Sequence, residues 1–279
     1  MKTPPYLITH NSYLITHNSY LTDLPIWRVE TDVFGAISTD NLMVLELRNR
    51  EKVEWCGIDL NTQKTLWQGT LPDTNWWTSS IGCYNSLLLL HQYQNNEQPA
   101  PKGLLAIDAQ TGRTIWQLNN CAFAKTDGQF LQTLRPNAAG EQIKEWWVLE
   151  TSEQLPNEPT FAEAQTAAWA LPVAYTENNF HYSFLRDFIE RQTGQKAVKT
   201  INYAEIAGCV VLFYYFYDTV SDTLLRSLLV INSTKKVIWH EISSSSSDSA
   251  FSGQFLYTQN QMVFLRSAQE LLVLNFSKS

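Results

Sequence analysis

The stretches Ile58–Trp67, IDLNTQKTLW, and Ile107–Trp116, IDAQTGRTIW, carry the same residue pattern in one register. In each, an apolar segment ends in Ile-Asp, a polar turn is centred on Thr, and a second segment closes on Trp. Val230–Trp239, VINSTKKVIW, repeats the pattern, and Ile189–Val198, IERQTGQKAV, repeats it more weakly. Apolar runs joined by a tight polar turn are typical of β-hairpins. The four stretches therefore predict a recurring strand–turn–strand unit.

The spacing of the central threonines gives the length of this unit. They are Thr62, Thr111, Thr193 and Thr234, so the gaps are 49, 82 and 41 residues, and the middle gap is twice the last. A degenerate copy at Trp147–Thr151 fills the middle gap. A repeat of about 40 to 50 residues with four strands per unit is typical of a β-propeller blade.

A second pattern, a short polar turn followed by an apolar strand, occurs six times between these units. The expected strands are Leu42–Leu47, Leu87–Leu90, Phe130–Leu134, Phe180–Leu185, Cys209–Phe216 and Met262–Leu265. One four-stranded sheet cannot bury both of its faces alone, whereas packing against neighbouring sheets around an axis buries them. Both patterns therefore indicate about six blades.

The two ends of the chain each carry half of the repeat. Thr22–Trp27 has a turn and a Trp with no strand before them, and Glu270–Phe276 is a strand with no turn after it. A ring of blades must close, since open first and last blades would leave sheet edges exposed. We expect the strand around Trp27 to supply the outer strand that the C-terminal blade lacks.

The sequence thus predicts an all-β fold, a single β-propeller of about six four-stranded blades, closed by the N-terminal strand pairing with the C-terminal blade. One domain is expected over residues 1–279, with residues 1–19 as an N-terminal extension. In that extension the heptad YLITHNS of Tyr6–Ser12 recurs unchanged at Tyr13–Ser19. The abundance of aromatic residues, 13 % of the chain, also favours strands.

The stretch Asp108–Trp116 contains Asp-x-x-Thr-Gly-x-x-x-Trp, which resembles the tryptophan-docking repeat of the quinoprotein-like (PQQ-repeat) β-propellers. The chain also looks similar to uncharacterised bacterial propeller families of unknown function. The resemblance implies that a Trp on the outer strand packs between blades, beside the polar turn of the neighbouring blade. The tryptophans to which this structural docking role would apply are Trp27, Trp67, Trp116 and Trp239.

The resemblance does not bring a cofactor with it. Quinone-dependent members typically have a vicinal Cys-Cys pair, whereas the four cysteines here are all separate: Cys56, Cys83, Cys121 and Cys209. We therefore expect no cofactor. A signal peptide and a lipobox are also not seen, so a cytoplasmic location is expected.

Charge and motifs narrow the function classes. The net charge of −7 and the lack of a basic stripe argue against a nucleic-acid partner, and no long apolar span suggests a membrane. Motifs such as GxSxG, Walker A, GxGxxG and HExxH do not occur, and the five histidines are scattered. No catalytic or metal-ligating residue is therefore assigned, and an enzyme is the less favoured class.

Long loops are the remaining candidates for function, because binding residues are often carried on loops of a rigid scaffold. In a propeller these loops would share one face, and they are Gln92–Gly103, Pro136–Gln142, Pro156–Thr166, Tyr217–Thr223 and Ser243–Ser252. Trp76 and Trp77 are a possible ligand face there. They would be either core residues or an aromatic platform for a sugar ring or a partner side chain, whereas Arg48 is expected in a solvated loop.

The sequence is most consistent with a non-enzymatic scaffold or binding protein that presents its loop-rich face to a protein or ligand partner. The alternative is an enzyme or a carbohydrate-binding protein with a site at the mouth of the central channel. Fold alone does not distinguish between them.

Overall fold

The computed structural model describes residues 8–10, 13–31, 42–94, 100–162, 169–244 and 255–278. In chain order the strands are β1 (Ile8–His10), β2 (Tyr13–Leu21), β3 (Ile26–Thr31), β4 (Leu42–Arg48), β5 (Val53–Asp59), β6 (Lys64–Gly69), β7 (Thr78–Tyr84), β8 (Leu87–Tyr93), β9 (Pro101–Asp108), β10 (Thr114–Asn119), β11 (Ala122–Thr126), β12 (Phe130–Pro136), β13 (Gln142–Val148), β14 (Gln154–Leu155), β15 (Val173–Thr176), β16 (Val198–Ile206), β17 (Cys209–Tyr217), β18 (Leu224–Ile231), β19 (Val237–Ser244), β20 (Phe255–Tyr257), β21 (Gln261–Ser267) and β22 (Glu270–Lys278). A helix, α1 (Phe180–Thr193), lies between β15 and β16.

These strands form antiparallel sheets of four or five strands. Three sheets have four strands each, in the orders β3-β4-β5-β6, β7-β8-β9-β10 and β11-β12-β13-β14. Two have five, in the orders β15-β16-β17-β18-β19 and β1-β2-β22-β21-β20. Sheets in which successive strands are neighbours have the meander topology of propeller blades. The predicted all-β, propeller-like fold class is confirmed.

The N-terminal strand pairs with the C-terminal sheet, as predicted. β2 pairs with β22 without interruption from Tyr13 opposite Lys278 to Leu21 opposite Glu270. The second copy of the duplicated heptad therefore forms this strand, and β1, from the first copy, pairs with the outer side of β2. Residues 6, 7, 11 and 12 of the first copy lie outside the described residues.

The expected position of Trp27 on this closing strand is wrong. Trp27 lies on β3, which pairs with β4 in a different sheet. The ladder with β22 ends at Leu21, and Thr22 begins a turn in which its hydroxyl donates to the carbonyl of Leu24 (2.7 Å). Pro25 follows and has no N–H to donate, so the strand pairing with β22 cannot continue towards Trp27.

The described residues contain five sheets, whereas the sequence patterns gave six units. The difference arises at Phe180–Leu185, expected as a strand but forming the first half of α1. The side chain of Asn179 caps the helix by accepting from the N–H of His181 (2.9 Å), and Tyr182, Leu185 and Ile189 form its buried face.

The expectation of a strand–turn–strand copy at Ile189–Val198 is wrong for the same reason, because the stretch begins inside α1. Its Thr-Gly pair is the end of α1, where Gly194 has φ 74° and its N–H donates to the carbonyl of Glu190 (2.8 Å). A left-handed glycine at this position is a common helix C-cap, and from the sequence alone it looks the same as a hairpin glycine.

The chain divides into two compact units. The first unit comprises Met1–Pro25 with Trp169–Ser279, and the second comprises Ile26–Ala168. The expectation of one domain over residues 1–279 stays a prediction. Among the described residues, no helix has the length and apolar character needed to cross a bilayer.

Several of the expected long loops are present as connections between strands. They join β8 to β9, β12 to β13 and β17 to β18. Three of the expected loops lie partly outside the described residues, namely Gln92–Gly103 at 95–99, Pro156–Thr166 at 163–166 and Ser243–Ser252 at 245–252.

Candidate functional site

An open groove of about 210 Å³ lies in the second unit, between the sheet that begins with β3 and the sheet that begins with β7. We call it the aromatic groove, and its lining residues are Trp27, Arg48, Trp76, Trp77, Ser79 and Tyr93. Four of the six are aromatic, so most of the wall that a ligand would meet consists of flat rings.

Strand ends bring these residues together. Trp27 lies at the start of β3 and Arg48 at the end of β4, which are antiparallel neighbours. Trp77 directly precedes β7, and Tyr93 ends β8, again its antiparallel neighbour. The groove is therefore at the end of the sheets from which the β4–β5 and β8–β9 connections leave. This is the end at which the sequence placed the long loops.

The backbone beside the two adjacent tryptophans is fixed by a small turn. The N–H of Trp77 donates to the side-chain oxygen of Asn75 (2.8 Å), and the N–H of Thr78 donates to the Asn75 carbonyl (3.0 Å). The N–H of Tyr93 donates to the carbonyl of Trp77 (2.9 Å), which ties the turn to β8. As whole residues, Trp76 is nevertheless 37 % exposed and Trp27 39 %. Large aromatic side chains are thus held on an ordered backbone with much of their surface open to solvent.

Arg48 fixes the position of Trp76. Its guanidinium carbon lies 5.1 Å from the centre of the Trp76 ring, within the range of a cation–π contact. Its Nη1 donates to the carbonyl of Trp76 (2.8 Å), its Nη2 to the carbonyl of Thr78, and its Nε to the carboxylate of Glu46. The side chain is only 10 % exposed. The expectation of a solvated loop residue is therefore wrong, because Arg48 ends a strand and bridges to the neighbouring sheet.

The fully buried carboxyl group that pairs with Arg48 and a second, half-buried carboxyl group share one hydroxyl. Oε2 of the fully buried Glu46 accepts from the N–H of Ser80 (3.0 Å) and lies 2.8 Å from its Oγ. Oε1 of Glu30 lies 2.6 Å from the same Oγ. A hydroxyl carries one hydrogen, so Ser80 donates fully to only one of them at a time. Burial raises the pKa of Glu30 and so favours its protonated form.

Trp67 and Trp116 both contact a turn of the following sheet. The Nε1 of Trp67 donates to the carbonyl of Ala109 (2.8 Å), directly after β9. The Nε1 of Trp116 donates to the carbonyl of Leu149 (2.7 Å), directly after β13. The Trp67 ring also lies against Gly112, where an added Cβ would be 2.8 Å from the indole Cδ2. These are the contacts that a docking role would use.

The other two tryptophans named for docking lie in different settings. Trp27 lines the aromatic groove. Trp239 lies on β19 and meets His17 of β2 edge-on, with ring centres 5.0 Å apart. Its Nε1 has no hydrogen-bond partner among the described residues. The docking contact of Trp67 and Trp116 therefore does not extend to Trp27 or Trp239 in the same form.

A second polar cluster, in the first unit, brings a serine and a tyrosine next to a histidine. The Oγ of Ser227 lies 3.0 Å from Nε2 of His240, and the hydroxyl of Tyr214 lies 3.4 Å from the same nitrogen. Ser227 is fully buried and cannot reach a substrate. Burial also lowers the pKa of His240. In the described residues no three His, Cys, Asp or Glu side chains are grouped as metal ligands would be.

Sequence reasoning singled out Trp76 and Trp77 but missed the other groove residues. Trp27 and Tyr93 reach the groove only because β3 and β8 end there, and no local pattern shows that. A usable signal was Glu46-x-Arg48, since alternate residues of a strand point to the same face and a buried pair of opposite charge marks a sheet contact.

Comparisons with known proteins give no established function. Residues 37–116 match a family model described as a domain of unknown function (DUF4905). That segment includes every lining residue of the groove except Trp27. No curated protein matches the chain.

Several solved structures match the chain, at low identity and low TM-score. A member of the DUF4221 family from Bacteroides vulgatus has 10 % identity, 100 % coverage of both chains and a TM-score of 0.34. The uncharacterized protein lmo1340 from Listeria monocytogenes has 9 % identity, covers 87 % of this chain and 74 % of its own, and has a TM-score of 0.31. An endo-arabinase from Bacteroides thetaiotaomicron has 12 % identity, coverage of 92 % and 95 %, and a TM-score of 0.28. At these values none supports a statement about function.

Proposed function

We propose that this protein is a non-enzymatic binding protein whose ligand contacts the aromatic groove. The observation that supports this most directly is the pair Trp27 and Trp76, each more than one-third exposed beside the same groove. Aromatic side chains have few rotatable bonds, so they offer large contact area at a small cost in conformational entropy. Rings already held in place lose still less freedom on binding.

The size of the groove limits what it contacts. Its volume of about 210 Å³ is below the range of about 300–1,000 Å³ typical of sites for drug-sized ligands. One ring or one side chain fills it, and the rest of the partner extends over the neighbouring loops. A small molecule, a sugar within a chain, or a projecting side chain of a protein partner all meet this condition.

Binding without catalysis fits the position of the nearby acidic groups. The carboxyls of Glu30 and Glu46 are directed at Ser80 and do not line the groove. A general acid or base must come within hydrogen-bond reach of the reacting group. These carboxyls support the wall of the groove from behind.

We also propose that Trp67 and Trp116 are docking tryptophans of the quinoprotein-like kind. The hydrogen bonds from each indole to the next turn support this proposal. The turns themselves are alike. Asp59 accepts from the N–H and the hydroxyl of Thr62, and Asp108 accepts from the N–H of Thr111 (3.0 Å).

A thermal-shift screen tests the binding function. The panel contains neutral oligosaccharides, charged oligosaccharides, indole, benzoate and N-acetylated amino-acid amides. We expect at least one class to raise the Tm of the wild type and not that of Trp76→Ala. Ile143→Ala, which alters an exposed apolar residue outside the groove, is the matched control and should respond like the wild type. Equal shifts in Trp76→Ala, or no shift with any class, would contradict the proposal.

A further inference from the structure

We propose that the aromatic groove binds an uncharged sugar ring of a carbohydrate chain, stacked on the surfaces that Trp27 and Trp76 leave exposed. This inference rests on the groove being the ligand-contacting surface proposed above. It follows from the shape of the wall, from the charge of the groups beside it and from the polar residues that line it.

The open shape of the groove favours a ligand that needs only one face covered. A purely apolar ligand gains affinity by burying most of its surface, and sites for such ligands enclose about 70–90 % of it. Trp27 and Trp76 stay too exposed to form such an enclosure. A pyranose or furanose ring has a face of C–H groups that packs on an indole and hydroxyl groups at its edge that remain in water. A shallow aromatic wall matches that division.

The charge around the groove favours a neutral ligand. Among the described residues, Arg48 is the only cationic side chain that lines it, and its Nε is paired with the buried carboxylate of Glu46. The pair has no net charge to attract a carboxylate or a phosphate. Arg48 also occupies the cation–π position against Trp76, so a cationic ligand would meet a like charge there. The chain as a whole carries −7, which further disfavours polyanions.

The groove is also lined by groups that hydrogen-bond to neutral hydroxyls. Ser79 and Tyr93 each offer a hydroxyl that both donates and accepts. A guanidinium has five N–H groups, and three of those on Arg48 donate to Glu46 and to the carbonyls of Trp76 and Thr78. Within the described part of the chain, the other two N–H groups have no partner. A few polar groups around a stacking surface are sufficient to orient one sugar ring.

Isothermal titration with purified oligosaccharides tests the inference. The neutral probes are tetrasaccharides of β-1,4-glucan, β-1,4-xylan, β-1,4-mannan and α-1,5-arabinan, and the charged probe is tetragalacturonate. We expect at least one neutral probe to bind with a Kd between about 10 μM and about 1 mM. The Kd should change less than about twofold between about 50 mM and about 500 mM NaCl, because no ion pair forms.

Variants locate the sugar. Trp27→Ala and Trp76→Ala should each weaken binding at least about tenfold, and Ile143→Ala should leave the Kd unchanged. Trp76→Tyr keeps a stacking ring and should retain binding within about fivefold, which separates loss of the platform from loss of the fold. Ligand-observed NMR on the wild type should show the strongest saturation transfer at the ring C–H protons of one sugar unit.

The outcomes separate this inference from the proposed function. If no neutral probe binds, or tetragalacturonate binds more tightly and is released by salt, the carbohydrate inference is wrong. If indole or an amino-acid amide then binds the wild type and not Trp76→Ala, the groove remains a ligand site of another class. If binding of every probe is unaffected by Trp27→Ala and Trp76→Ala, both proposals fail.

Discussion

At the scale of single residues, neighbouring sheets in the second unit are joined by buried polar groups. Arg48 reaches carbonyls at the start of β7, and Ser80 of β7 lies between Glu46 of β4 and Glu30 of β3. Buried groups of this kind are costly unless every one has a partner. The network therefore fixes how β3 and β7 meet, and with them the walls of the aromatic groove.

The raised pKa of Glu30 makes the stability of the protein depend on pH. Because its folded pKa is raised, folding retains a proton that the unfolded chain loses near its ordinary pKa of about 4.3. The stability this provides is complete below that pH and is lost as the pH rises through the folded pKa. Glu30→Gln cannot ionise and keeps an amide that donates to Ser80.

We expect Glu30→Gln to lose less stability than the wild type between about pH 4.5 and about pH 7.5 in urea unfolding. The control Glu145→Gln removes a carboxylate that is paired with Arg135 (3.0 Å). Its stability should fall as much as that of the wild type over the same pH range. If Glu30→Gln loses as much stability as the wild type over this pH range, the pKa of Glu30 is not raised in the folded protein.

Trp116→Phe tests the indole–carbonyl contact. Phenylalanine keeps most of the apolar area but leaves the buried Leu149 carbonyl without its donor, at a cost of about 1–3 kcal/mol. Trp116→Ala should cost about 3–5 kcal/mol. Trp27→Phe changes a tryptophan that is 39 % exposed and should stay within about 0.5 kcal/mol in the same denaturant titration. Equal stability of Trp116→Phe and Trp27→Phe would remove the basis for the docking role.

At the scale of elements, the hairpins could be predicted because their determinants are local. Ile58–Trp67 and Ile107–Trp116 carry the turn residues and the alternation themselves. The segment Phe180–Leu185 misled because a short apolar run fits either a strand or a buried helix face. The aromatic groove is the opposite case, since Trp27 and Arg48 meet Tyr93 only where two sheets pack together. Apart from the Glu46-x-Arg48 spacing, nothing in their local sequence indicates that contact.

Gly112 is where a turn and a docking tryptophan meet. Its φ of 71° is strained for any side chain, and a Cβ would lie 2.8 Å from the Trp67 ring. Gly140 has a similar φ of 81° with no atom within 4 Å of its Cβ position. Gly140→Ala should therefore cost only the backbone term of about 1–2 kcal/mol.

Gly112→Ala should cost about 1–3 kcal/mol more than Gly140→Ala, because the indole must shift as well. Chemical denaturation of the two variants side by side gives the difference directly. Near-ultraviolet circular dichroism should change for Gly112→Ala alone, since only there does a tryptophan move. Identical costs for the two variants would mean that Trp67 does not depend on the glycine of the next turn.

At the scale of the whole molecule, the two ends of the chain are joined in one sheet. β2 covers the edge of β22 along its full length, and the side chain of Ile15 in β2 is buried in the core of the first unit. The sequence predicted this closure from two half-repeats. The prediction assigned the wrong strand because Thr22–Trp27 matches the turn-and-Trp half of the repeat, whereas the heptad YLITHNS contains no Trp.

The duplicated heptad allows the closing strand to be tested without changing its sequence. Deleting Tyr6–Ser12 leaves one copy of YLITHNS directly before Tyr20, so every pair of β2 with β22 can still form. We expect the Tm to fall by less than about 5 °C. Deleting Tyr6–Ser19 removes the strand, exposes the edge of β22 and uncovers part of the core, so the Tm should fall by more than about 10 °C or the protein should aggregate. Differential scanning calorimetry with light scattering measures both. A large loss in the shorter deletion would mean that β1 is needed for closure, and a small loss in the longer one would mean that β22 does not need a partner from the N-terminus.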